Sequence, residues 1–550
     1  MDIWLAVTRL PAVLVRWVDI NLLSLGREMR LSYLPPLMVY VAAGISSLTG
    51  IVGTFYVKER LGLSAEFLAA LGFWMALPWA LKMPLGHLVD LMWRWKSLLV
   101  YLGAGLIATS LFIMIGLLGH DEAMCEFAPL AQWYVLASLL APIGYVLQDV
   151  VADAMTVEAV PRVEADGQLV DPEKRKQMHI TMQTLGRVAI IGGGILVAVA
   201  NVILMKDVAI LSETDKAAAY LLVYELALVI PLVSVCGIWL AGWMKQREIK
   251  HFSARGLDRA QIDVLTGAHV DAPPVNWWIL GGGLAFTIIS LGVGIVQIPG
   301  AEEIIFCLSM GIVLFLIRQL TADLESEARN VLVGTALLVF VFRAIPSPGA
   351  GSTWWMIDEL GFDQQFMATL SLIGSVLTLF GMFIFRRFMA ERSMAYVIGV
   401  LTVAGTILSL PVISMYFGLH EWTAAHTGGV VDARFIAVID TALESPLGQI
   451  SMIPMLAWIA NSAPEKLKAT FFAVMASFTN LALSASQLAT KYINQVFTVT
   501  REIRDAETGS MLVPADYSEL GALLITVSIL GFVLPMLAVL AIRYTRLRSA

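Results

Sequence analysis

The sequence predicts an all-α polytopic membrane protein, and three observations predict it. Hydrophobic residues make up 58% of the 550 residues and charged residues only 14%. A soluble domain carries about 25% charged residues, so this chain cannot cover itself with a wetted surface and lipid must cover it. Apolar stretches of spanning length recur from residue 35 to residue 543, and the basic residues gather on one side of them. The same composition argues against a nucleic-acid-binding protein, a disulfide scaffold and a soluble enzyme. The net charge of -7 is thinly spread, and Cys125, Cys236 and Cys307 lie far apart with no Cys-x-x-Cys or Cys/His cluster, so neither a metal site nor any cofactor is expected.

A span needs about 20 apolar residues. Fourteen candidates run over 35–57, 66–91, 97–118, 131–160, 180–205, 217–244, 277–298, 303–320, 331–347, 365–385, 394–417, 435–460, 469–498 and 517–543. Residues 1–34 differ: Trp4, Leu5, Val13, Trp17 and Leu22 alternate with Arg9, Arg16, Arg27 and Arg30, without a clean apolar core or a cleavage site. That pattern predicts an amphipathic segment on the cytoplasmic interface rather than a signal peptide. With the N-terminus in the cytoplasm, cytoplasmic segments hold 24 of the 36 Lys and Arg, outer segments 7, and the spans 5. The positive-inside bias therefore places both termini in the cytoplasm, in a membrane of the bacterial inner or plasma type.

An internal echo organises the spans. Phe55-Tyr56-Val57-Lys58-Glu59-Arg60-Leu61-Gly62-Leu63 closes the first span, and Trp354-Trp355-Met356-Ile357-Asp358-Glu359-Leu360-Gly361-Phe362 precedes the tenth. Gln148 in the fourth span echoes Gln449 in the twelfth. The expected division is 1–34 interfacial segment, 35–245 first six-helix half, 246–276 cytoplasmic linker, 277–330 inserted hairpin and short loop, and 331–550 second six-helix half. Two parallel six-span halves are the plan of the major facilitator superfamily, whose substrate site lies between halves near the midplane. The turn after the second span, Gly86-His87-Leu88-Val89-Asp90-Leu91-Met92-Trp93-Arg94-Trp95-Lys96, resembles that superfamily's loop signature. It makes Gly86, Asp90 and Arg94 a candidate cytoplasmic gate, with Gly86 allowing two helices to approach and Asp90 capping or pairing.

More specific motifs follow. Phe55–Ser64, then Leu77-Pro78-Trp79-Ala80-Leu81-Lys82-Met83-Pro84-Leu85-Gly86 with Asp90, and Gln148-Asp149-Val150-Val151-Ala152-Asp153 with Glu158 resemble the first half of the folate-biopterin transporter (BT1) family. Arg343 with Pro346, Leu360-Gly361-Phe362, Met452-Ile453-Pro454 and Ala469-Thr470-Phe471-Phe472-Ala473 resemble its second half. Lys58-Glu59 departs from the family's usual Lys-Asp, and the hairpin at 277–320 has no counterpart in the pattern. The resemblance implies a secondary transporter of a pteridine- or folate-like anion, monomeric and lipid-embedded. A permease for another solute, such as a muropeptide, and a non-transporting membrane assembly factor are the alternatives.

An ionisable side chain at the bilayer centre costs about 2.5–3.5 kcal/mol on insertion scales, so each one needs a reason. Arg318 and Lys491 lie near span ends and can snorkel. Lys82, Arg187 and Arg343 are deep and form the candidate anion-binding set. Trp79 and Tyr145 supply aromatic faces for a flat ring, and Gln148 and Gln449 complete the set. Asp149 and Asp153 are four apart and share one helix face. They read either as a proton-coupling pair or as structural partners of Lys82 and Arg187. Asp440/Glu444, with Arg434 nearby in sequence, and Glu225 read as structural. Trp74 and Trp354 are also placed for a cavity. Gly192-Gly193-Gly194 and Gly281-Gly282-Gly283 read as close helix packing.

Overall fold

In the computed structural model, residues 24–80, 82–161, 170–256, 258, 262, 275–296, 298–321, 325–385, 388, 392–448, 450, 468–504, 511–545 and 547–549 are described. The first half comprises α1 (Leu34–Gly44), which continues through a 3-10 turn into α2 (Gly50–Tyr56), then α3 (Ala65–Ala80), α4 (Lys82–Leu91), α5 (Ser97–Gly119), α6 (Leu130–Ala159), α7 (Pro172–Leu204), α8 (Glu213–Ala227) and α9 (Val229–Ala254). The hairpin is α10 (Trp277–Val296) and α11 (Ala301–Leu320). The second half comprises α12 (Ser326–Arg343), α13 (Ala350–Asp358), α14 (Gln364–Ile384), α15 (Met394–Tyr416), α16 (Ala433–Glu444), α17 (Lys468–Val496) and α18 (Leu520–Tyr544). The small departure from all-α structure is an antiparallel ribbon in the last outer loop, pairing Ile503–Arg504 with Met511–Val513.

Among the described residues, nine helical stretches are long and apolar enough to cross a membrane. They correspond to the expected spans one to six, ten, eleven and fourteen. The remaining five expected spans also fall, wholly or in part, on helices. The twelfth is described only as α16, because residues 449 and 451–467, including Gln449, lie outside the described residues. Most of the expected interfacial segment, residues 1–23, lies outside them too. Its end is tied down where Thr181 on α7 donates to the Glu28 carboxylate at 2.6 Å.

The two halves meet reciprocally. α3 packs along α17, and α7 packs along α14. The second span of the first half thus pairs with the fifth of the second half, and the fifth with the second, as a two-fold relation requires. Within the first half, α5 and α6 touch through glycines: a Cβ on Gly103 would lie 2.6 Å from the Gly144 carbonyl oxygen. Small residues let backbones approach where lipid supplies no hydrophobic drive for helix association.

Span nine is a broken helix. α12 ends at Arg343, Pro346 and Pro348 interrupt the chain, Gly349 takes φ 77°, and α13 resumes at Ala350. A break inside a membrane protein frees backbone polar groups that must be satisfied internally. The polar side chains of α17 do this. Ser486 donates to the Ile345 carbonyl at 2.6 Å, the Ser347 N–H donates to Thr490 Oγ1 at 2.9 Å, and Asn494 donates to the Pro348 carbonyl at 3.3 Å. Ser486, Thr490 and Asn494 recur every four residues on one face, which accounts for the polarity of span thirteen.

The hairpin lies against α3, α4 and α17. A Cβ on Gly283 would sit 2.6 Å from the Pro84 side chain, and the Asn276 N–H donates to His87 Nε2 at 3.0 Å. At the hairpin turn Glu302 accepts from Trp74 Nε1 at 3.2 Å and lies 3.4 Å from Lys491, while Glu303 accepts from the Tyr492 hydroxyl. Lys491, expected to snorkel, is therefore held by two hairpin acids, so the hairpin grips both halves at once.

Each glycine triplet uses one member for contact. Among Gly192, Gly193 and Gly194, only a Cβ on Gly193 would clash, 2.8 Å from Gly44 Cα and 2.9 Å from the Val41 carbonyl oxygen. Both obstacles are backbone and cannot rotate away. Gly193→Leu should therefore destabilise the α1–α7 contact by about 1–3 kcal/mol or more, read as a lowered unfolding temperature in detergent, while Gly192→Leu, with nothing within 4 Å of its Cβ, should leave it unchanged.

Candidate functional site

Lys82 lies in span two, on α4, between Pro78 and Pro84. Its ammonium reaches across to α6. It lies 2.6 Å from Asp149 and 2.7 Å from Asp153, and the Tyr40 hydroxyl donates to Asp153 at 2.7 Å. The i, i+4 spacing on α6 presents both carboxylates to one cation. They differ in access: the side chain of Asp153 is 40% exposed and that of Asp149 16%. One turn further, Glu158 takes Lys96 at 2.7 Å. The three acids of the fourth span thus hold the two lysines of the second span and its loop.

The arginines complete the cluster. Arg187, on α7, acts electrostatically on Asp149, on Tyr40 and on Arg343 of the other half. Two cations from opposite halves within range of each other repel, and an anion between them would relieve that repulsion.

A cavity of about 390 Å³ opens to one side of this cluster. The spans that carry Tyr40, Lys82 and Asp149 contribute Ser46 to Val57, Leu68 and Met75, and Tyr134 to Tyr145 to its lining. Tyr145 precedes Asp149 by four residues, about 6 Å along the axis. The second half contributes Ala350, Thr353 and Trp354.

Above the cavity the halves are tied together. Lys58 lies 2.5 Å from Asp358, which also accepts from the Tyr517 hydroxyl. Arg501 donates to the Val57 carbonyl at 2.6 Å and stacks over the Trp354 ring at 5.4 Å. Gln364 donates to Tyr220 at 2.7 Å and Gln495 to Glu66 at 2.6 Å. All four ties lie on the cavity side of Lys82. The two echo segments recognisable in the sequence therefore touch each other, through Lys58 and Asp358.

The structure joins Lys82, Asp149 and Asp153 directly, sets Arg187 within electrostatic range of Asp149 and of Arg343, and puts Tyr145 on the cavity wall. It places other expected residues elsewhere. Gln148 is 2% exposed and donates to Ser234 at 3.0 Å, inside the first half. Trp79 packs against the cluster around Val89 and Leu99, and its carbonyl accepts from Asn480. A Cβ on Gly86 would meet nothing within 4 Å, so the close approach expected there is absent among the described residues. Asp90 is half-buried and Arg94 exposed. Arg434 pairs with Asp363 at 3.0 Å, not with Asp440. Tyr40, Arg501 and Tyr517 were not anticipated. A tyrosine in an apolar span and an arginine in a polar outer loop carry no local signal of a partner more than 100 residues away.

Comparison with known proteins fits this geometry. Residues 43–547 match the BT1 family. A folate-biopterin transporter of Synechocystis sp. is 22% identical over 462 residues, which is 83% of this chain and 74% of that protein. A putative folate transporter 2 of Plasmodium berghei is 25% identical over 174 residues, 30% of this chain and 35% of that one. A POT family transporter solved with 5-aminolevulinic acid shares the fold with a TM-score of 0.61 at 12% identity, over 93% of this chain and 95% of that chain. The nucleoside transporter NupG does so with a TM-score of 0.51 at 11% identity, over 92% and 99%. The relatives and the structural neighbours are transporters, not enzymes.

Breaking a buried charge pair on one side costs about 3–5 kcal/mol, and the access of water to Asp153 puts Lys82 toward the low end. Lys82→Met should lower the unfolding temperature of the purified protein, and adding Asp149→Asn to it should recover part of the loss. A double variant as unstable as Lys82→Met alone would show that the ammonium does not stabilise through Asp149.

Proposed function

The chain belongs to the BT1 family, and from that membership and the ionic cluster we propose proton-coupled transport of a pteridine- or folate-like organic anion by alternating access. That it is an integral membrane transporter follows from the family and the fold. The observation supporting the finer reading is the placement of Lys82 between two carboxylates of its own half, with Arg187 within electrostatic range of Asp149 and of Arg343 from the other half.

In the empty protein Asp149 and Asp153 neutralise Lys82. An anion arriving between Arg187 and Arg343 competes for the ammonium. A carboxylate that loses its cation in a low-dielectric site binds a proton more readily. Asp153, in contact with Tyr40 and open to water, is the entry point for that proton, and Asp149 is the partner shielded behind it. Substrate and proton then neutralise the site together, and the neutral site can rearrange between its two openings. A cavity filled by large apolar side chains would favour the assembly-factor alternative. The space of about 390 Å³ above the cluster is instead within the range of small-molecule sites.

The test is folate uptake into liposomes at matched protein levels. Asp149→Asn should reduce uptake driven by a proton gradient while sparing counterflow exchange, and Lys82→Met should reduce both. If only Asp153→Asn is gradient-insensitive, the coupling group moves by one helical turn. Unchanged gradient-driven uptake in Lys82→Met and Asp149→Asn would refute the scheme.

A further inference from the structure

The cavity above the ionic cluster has a chemistry of its own. Its lining contains no Asp, Glu, Lys, Arg or His. Its polarity comes from hydroxyls and phenols, and several of these have already committed their hydrogens. Ser46 donates to the Ala43 carbonyl at 2.7 Å, Thr54 to Gly50 at 3.0 Å and Ser110 to Ala137 at 2.6 Å. A hydroxyl that has donated retains lone pairs, so these three can offer a ligand only acceptors. The aromatic walls are Tyr134, Tyr145, Tyr224 and Trp354. Arg501 caps the Trp354 ring on one face, which fixes the indole as part of the roof.

A charged group would find no partner here, and a saturated hydrocarbon would leave the hydroxyls unsatisfied. A flat, uncharged ring bearing N–H donors meets both the acceptors and the aromatic faces. We propose that this cavity is the subsite for the uncharged heteroaromatic portion of the substrate, with the acidic portion pointing down to Arg187 and Arg343. The assignment rests on the substrate reading given under the proposed function. It makes Tyr145 and the residues around it determinants of ring specificity, and the arginines determinants of charge specificity. It also places the ring directly beneath the Arg501–Val57 and Lys58–Asp358 ties, where its presence or absence is felt by the outer closure.

Two probes separate the subsites: biopterin, a ring without a carboxylate, and folate, a ring with carboxylates. Equilibrium binding to the purified full chain is measured for each. Ala141→Phe, which fills the cavity from α6, should weaken both probes by about tenfold or more. Arg187→Gln should weaken folate by about tenfold and biopterin by less than about threefold. Where Ala141→Phe does not fold, Ser138→Ala combined with Tyr145→Phe should still weaken biopterin by about tenfold. Folded cavity variants that bind both probes as the unmodified protein does would overturn the subsite while leaving the substrate reading intact. Failure of the unmodified protein to bind either probe would overturn the substrate reading and this assignment with it.

Discussion

A lysine ammonium inside a bundle surrounded by lipid must be neutralised, and the placement of Lys82 between Asp149 and Asp153 is the constraint around which the first half is arranged. It requires α6 to present two acids one turn apart toward span two. It also holds Tyr40 of span one, through Asp153, against the same point. The two carboxylates share Lys82 while Arg187 also acts on Asp149, so the charges of the site are coupled. Whatever competes for the ammonium changes the proton affinity of a carboxylate.

The second half contains a broken helix. Span nine stops at Arg343 and restarts at Ala350, and the polar face of α17 satisfies the backbone that the break exposes. Arg343, the deep cation of span nine, thus sits beside a helix interruption, a recurring way for transporters to bring side chains and backbone to a midplane site. α17 serves three neighbours at once: the broken helix, α3 of the opposite half, and the hairpin acids at Lys491. The hairpin lines no part of the cavity among the described residues. It instead fastens Trp74 of one half and Lys491 of the other at its turn.

Much of this was readable in the sequence because it depended on local spacing. Composition and span lengths indicated the fold, the echo of residues 55–63 in 354–362 indicated the halves, and the four-residue spacing of Asp149 and Asp153 indicated a shared face. What escaped depended on distance along the chain. The echo segments were visible as a repeat, but their direct contact through Lys58 and Asp358 required the two halves to be in place. Lys491 looked able to snorkel because its partners, Glu302 and Glu303, belong to a hairpin with no place in the repeat. Gln148 stood out as an intramembrane amide in a repeated position, yet burial spent it on Ser234. A buried polar side chain announces that it needs a partner, not whether the partner is protein or ligand. Gly86 shows the converse: a signature residue whose expected close neighbour is absent among the described residues.

The central claim is that anion binding and proton binding are linked through the Lys82 carboxylates. Linkage means that adding ligand at constant pH changes the number of protons bound. The direct measurement is proton uptake by purified protein in weakly buffered solution as folate is added, followed with a pH-sensitive dye. The account predicts uptake of roughly one proton per bound anion, abolished when Asp149 and Asp153 are both changed to Asn. Saturable folate binding with no proton uptake across the neutral pH range would contradict it.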